Sequence, residues 1–239
     1  MASTEIRWWK RAMSLTGHDF FVADFVDLLG RQGCPLCGAE RLDEDRWVRT
    51  FLRDGHRDPD VRRRFLASGG LCRAHTHLVW LACQNDERGI SAVAALCRLL
   101  VEHDLLTLPR RGTRRAPKRP RGQPCEACAA RLRDGERKVY FFCQALADPG
   151  LRRSYSRHPD GLCARHTAAV LNEADGPLRA FLLRDWSLRL SNLQRRLAEF
   201  DRKRDYRFRG EPRGDEQQAP HDALLHYGGS TWPDRDHAR

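Results

Sequence analysis

The chain has 239 residues, 41% of them apolar, enough for one large domain or two small ones, and its nine cysteines are too sparse and odd in number for a secreted disulfide scaffold. A net charge of +11 raises nucleic acid as a partner class. The most apolar long stretch, 90–108, carries Arg98, Glu102, His103 and Asp104, which excludes it as a membrane span.

Met1 to Arg11 has no apolar run ahead of a cleavage site, so a cytoplasmic location is expected. In a reducing compartment grouped cysteines are metal ligands or redox centres rather than disulfides. Helical periodicity predicts helices near 20–29 and 40–53, with the knuckle Cys34-Pro-Leu-Cys37 leading into the second. Further helices are expected at 60–67, 72–84 and 90–108, the last ending at Pro109. Gly70 breaks the chain just before Cys72-Arg-Ala-His75, so this cluster should open a helix, and residues i and i+3 on a first turn share one side. Cys97 falls on the apolar stripe Ile90, Ala94, Cys97, Val101 and reads as a small buried residue, as does Cys143.

A basic run follows, in which Arg110, Arg111, Arg114, Arg115, Lys118, Arg119 and Arg121 are interleaved with Pro117, Pro120, Gly112 and Gly122. It reads as a solvated, mobile linker that could also hold phosphates by counterion release.

Beyond the linker the first pattern returns. Cys125-Glu-Ala-Cys128 and Gly161-Leu-Cys163-Ala-Arg-His166 repeat the earlier four ligand-type residues at an offset of 91. Asp58-Pro59 and Phe65 recur as Asp148-Pro149 and Tyr155 at an offset of 90, as though one residue was gained and another lost. Cys83, His77 and Cys97 have no such counterparts and are not assigned as ligands. A helix is expected at 129–146. A long one follows Asp175-Gly176-Pro177, with the heptad stripe Trp186, Leu190, Leu193, Leu197, Phe200. From Gly210 no stripe persists, and the tail is expected to lack structure or to order only on a partner.

The reading is an all-α protein of two pseudo-repeated units, each held by a Cys3His site. Its divisions are 1–109, a linker at 110–122, a second repeat at 123–209 and a polar tail at 210–239. The eight ligands are Cys34, Cys37, Cys72 and His75 for one ion and Cys125, Cys128, Cys163 and His166 for the other. A crossed arrangement, each knuckle meeting the other repeat's helix, is the alternative. Zinc suits these sets, two ions per chain, with iron-sulfur clusters as the rival.

The duplicated C-P-x-C and G-L-C-x-x-H pattern, with the ending from Arg202 to Pro212, resembles a bacterial cysteine-rich family known as a domain of unknown function. The resemblance spans roughly 34–212, with Glu126 standing where the first knuckle has Pro35. It implies the same metal residues and no activity.

No catalytic motif is visible, and a closed four-ligand site leaves no position for substrate or water, so no catalytic residue is assigned. The leading function is a zinc-binding accessory or interaction protein with an unidentified protein partner. The alternatives are an iron-sulfur protein for electron transfer or redox sensing, and a nucleic-acid binder acting through the basic linker.

Overall fold

The computed structural model describes residues 18–107, 124–208 and 210–229. Among the described residues there are ten α-helices and no strand, the all-α architecture expected from the periodicity. They are α1 (His18–Leu29), α2 (Pro35–Thr50), α3 (Pro59–Ala67), α4 (Arg73–Cys83), α5 (Glu87–Thr107), α6 (Glu126–Ala145), α7 (Pro149–Arg157), α8 (Ala164–Glu173), α9 (Gly176–Arg204) and α10 (Ala219–Gly228).

The repeated Asp-Pro pairs start equivalent helices. The Asp58 carboxylate accepts from the backbone N–H of Asp60 at 2.8 Å and Val61 at 3.3 Å, and Asp148 accepts from Leu151 at 2.7 Å, each with proline at the first helical position. A cap of this kind contributes about 1 kcal/mol, and proline there forfeits no hydrogen bond. Seven residues past each Asp, Phe65 and Tyr155 are buried anchors of their cores. The slip in offset also has a physical site. A π-helical turn, Phe51–Gly55, follows α2 directly and absorbs the extra residue of the first repeat, as single-residue insertions in helices commonly do.

The chain divides into two compact units. One is Glu40–Gly135; the other is Met1–Ala39 with Glu136–Arg239. This differs from the expected sequential division at 110–122, because α2 and α6 each begin in one unit and end in the other. The core of the 40–135 unit is Val48, Phe51, Leu52, Phe65, Val79 and Leu96, with the Trp47 ring stacked on Phe51 at 4.7 Å. The core of the second unit is larger. Phe25, Phe142, Tyr155 and Phe181 make successive edge-to-face ring contacts at 5.1, 5.8 and 6.2 Å, surrounded by Leu28, Leu36, Leu151 and Val170.

Two expectations are corrected within the described residues. The polar segment after Gly210 is built, not structureless: a 3-10 turn, Asp215–Gln218, leads into α10, and both pack on α9. Polar anchoring explains why no stripe announced it. Arg196 bonds the Asp215 carbonyl at 2.6 Å and the Asp222 carboxylate at 2.7 Å, and Lys203 reaches Glu216 at 3.1 Å. Cys97, read as buried, is exposed, because the Ile90, Ala94, Cys97, Val101 stripe faces outward while Ala92 and Leu96 face the core. Cys83 and Cys143 are buried. The basic run 110–122 lies outside the described residues.

Candidate metal centres

All eight sequence-assigned ligands occupy one of two positions on a helix. Cys34, Cys72, Cys125 and Cys163 immediately precede α2, α4, α6 and α8, and their carbonyls accept the first helical hydrogen bonds, from Gly38, Thr76, Ala129 and Thr167 at 2.8 to 3.0 Å. Cys37, His75, Cys128 and His166 stand three residues on, one turn into the same helices. Helix starts carry partial positive charge and free N–H groups, which favour thiolates.

The departure at Glu126 is harmless for this reason. Pro35 and Glu126 are both first helical residues, where proline's fixed φ and glutamate's charge are each favoured, and buried Glu126 pairs with Arg64 at 2.9 Å. The glycines before Cys72 and Cys163 are required by backbone geometry. Gly70 and Gly161 have φ of +94° and +62°, and a Cβ on Gly161 would lie 2.7 Å from the Arg189 side chain.

The ligands gather in crossed sets. Cys34 and Cys37 meet Cys163 and His166 in the larger unit, and Cys125 and Cys128 meet Cys72 and His75 in the 40–135 unit. The pairing within each repeat is thereby corrected. Each knuckle stands at the helix end that crosses into the other repeat's unit, so it reaches the other repeat's C-x-x-H helix.

In each set the four ligand atoms lie within 4.8 Å of one another. His166 Nδ1 is 3.3 Å from Cys34 Sγ and 3.4 Å from Cys37 and Cys163, with the Cys37 and Cys163 sulfurs 3.8 Å apart. His75 Nδ1 is 3.1, 3.3 and 3.4 Å from Cys72, Cys125 and Cys128, with the Cys72 and Cys128 sulfurs 3.8 Å apart. A tetrahedron with metal–sulfur bonds of about 2.3 Å and metal–nitrogen bonds of about 2.0 Å has edges of about 3.8 and 3.5 Å. The sulfur–nitrogen edges, and the one sulfur pair at 3.8 Å in each set, are close to these lengths, so each quartet could hold one four-coordinate ion.

Electrostatics point the same way. Burial pushes the Cys34 thiol well up, with Cys163 and Cys37 adding to it, while hydrogen bonds with Cys163 and Cys34 hold Cys37 well below the usual thiol range. In the other set burial drives Cys128 to about 12, whereas Cys72, although burial opposes its thiolate, falls to about 7 through hydrogen bonding with His75. Without a cation, neighbouring thiolates repel and part of each quartet retains its protons; a dication would replace them.

Two further residues support the sites without any counterpart in the repeat. Glu44 takes His75 Nε2 at 2.7 Å and raises the imidazole to about 9, fixing the ring so that Nδ1 faces the sulfurs. The offset of 91 maps Glu44 onto Gly135, so the symmetry that revealed the ligands concealed their support. Gly229, closing α10 with φ of +77°, lies so near the other set that a Cβ on it would sit 3.3 Å from Cys37 Sγ.

Comparison with family models, with curated proteins and with solved structures finds no significant match to any of them. Among the described residues no helix is long and apolar enough to cross a membrane.

Proposed function

We propose that the protein is a zinc-stapled helical accessory or interaction protein, with two structural Cys3His sites assembled across its repeats. The observation that carries this reading is the gathering of each quartet within 4.8 Å, with sulfur–nitrogen distances of 3.1 to 3.4 Å and one sulfur pair at 3.8 Å in each set. An iron-sulfur cluster distributes its ligands over several irons, which sets them further apart than ligands of one ion. Four protein ligands also fill a tetrahedron and leave no place for substrate, which suits a structural metal. Membership of the cysteine-rich family that the duplicated motifs resemble belongs to the same reading. The interaction role is supported by large apolar side chains left in solvent, Trp80, Val101 and Leu105 in one unit and Leu224 and Tyr227 on α10 in the other.

Elemental analysis and an ultraviolet-visible spectrum of anaerobically purified protein test the proposal. Two zinc ions per chain and no visible colour are expected. A brown product with a thiolate-to-iron band, or protein that folds with no metal at all, would defeat it.

A further inference from the structure

The two quartets are alike in ligands and unlike in cover. In the larger unit all four ligands are buried, Cys34 at 6%, Cys37 at 7% and Cys163 and His166 at 3% exposure. The end of α10 lies over them, with Gly229 against the Cys37 and Cys163 sulfurs. A cavity of about 100 Å³ reaches Cys34 and Cys163 from the α9 side, yet leaves both nearly inaccessible. In the 40–135 unit Cys125 and His75 are buried, but Cys72 and Cys128 are partly exposed. The sulfurs of these two partly exposed residues are also adjacent, 3.8 Å apart.

The geometry points to Cys72 and Cys128 as an oxidation site for hydroperoxides, through which one ion is released while the other is retained. This deepens the zinc reading and rests on it. Reactivity toward peroxide follows thiolate character and access, and the quartets differ in access.

The step balances. One thiolate sulfur attacks the terminal peroxide oxygen, the O–O bond breaks, and the departing hydroxide, or alkoxide from an organic hydroperoxide, takes a proton to become water or an alcohol. The resulting sulfenic acid is attacked by the second thiolate, so the S–S bond forms, the S–O bond breaks, and a second hydroxide leaves as water. Two electrons pass from the sulfur pair to one peroxide. With only Cys125 and His75 left, the ion loses half its ligands. Closing from 3.8 Å to the disulfide length of about 2.05 Å requires a small approach of two helix starts.

The test uses the full chain loaded with zinc, its metal content measured first. Hydrogen peroxide is added in excess, zinc release is followed with a chromogenic chelator, and the thiols are mapped by alkylation and mass spectrometry. Release of one equivalent at least tenfold faster than the second is expected, with a Cys72–Cys128 disulfide and with Cys34, Cys37 and Cys163 still alkylated. Equal release rates, or earlier oxidation of Cys34, Cys37 or Cys163, would overturn the inference. The initial metal count judges the zinc reading separately, and the thiol map gives the order of oxidation whatever that count is.

Discussion

The cysteines separate into classes by position, and this decides what each substitution does. Cys72→Ser removes one of four ligands from a candidate metal site that joins two helix starts, those of α4 and α6. The variant is expected to lose one ion per chain and most of the cooperativity of the 40–135 unit, since structural zinc contributes on the order of 10 kcal/mol. Cys97→Ala changes an exposed side chain and is expected to stay within about 0.5 kcal/mol of the parent with both ions retained. Metal content and melting temperature of the two variants check this; ion loss from Cys97→Ala would discard the ligand assignment. Gly161→Ala should cost about 1 to 3 kcal/mol, because its φ of +62° disfavours a side chain and the new Cβ meets Arg189. The Arg189 guanidinium cannot readily withdraw, being held by the carbonyls of Tyr155, His158 and Pro159. A thermal or denaturant melt measures the loss, and an unchanged midpoint would contradict it.

At the scale of elements, the segment after α9 is the part most dependent on polar contacts. Glu216 is buried and accepts from the Gly214 N–H at 2.8 Å, Lys203 at 3.1 Å and Gln217 at 3.1 Å. These bonds, the Gly214 N–H foremost, hold its carboxyl down at about 2, against 4.5 for the free group. A depressed pKa contributes stability that is full above about 4.5 and is lost as pH falls toward about 2. Glu216→Gln should therefore lower the melting temperature at neutral pH, and the gap to the parent should narrow as pH drops from about 5 to about 3. A gap independent of pH would show that the carboxylate does not hold this turn. The same chemistry explains which elements could be read from the sequence. Helices with an apolar stripe, such as 90–108 and the one following Asp175, were legible, and so were the ligand clusters, because repetition marked them. The order of pairing was not, since both repeats have the same spacing and an offset cannot say which knuckle meets which helix. The α10 turn was hidden because carboxylates and arginines, not an apolar stripe, hold it. Cys97 misled because an outward-facing apolar stripe has the same period as an inward one.

For the whole molecule, crossed pairing means that neither half of the sequence holds a complete site of the kind described. Residues 1–115 and 116–239 produced as separate chains should each bind metal substoichiometrically and show reduced helicity by circular dichroism. Mixed in the presence of zinc, they should recover two ions per pair and near-parental helicity, because each ion draws ligands from both pieces. Full and independent metal binding by either piece alone would return the assignment to pairing within each repeat. Chelator treatment of the intact chain should likewise unfold both units, because structural metal binding is folding free energy.

The crossed quartets are also nested ties on one string. His75 and Cys125 are 50 positions apart, whereas Cys34 and His166 are 132 apart and enclose them. Bringing chain ends together grows costlier with the logarithm of their separation, by about 0.9 kcal/mol between these two spans. Once the inner crossing is tied, the outer span is shortened by the segment it encloses. Refolding should therefore be ordered, inner ion first. Pulsed alkylation during zinc-driven refolding would show Cys72, Cys125 and Cys128 protected before Cys34, Cys37 and Cys163, and the reverse sequence would mean that the larger core, rather than chain connectivity, sets the route.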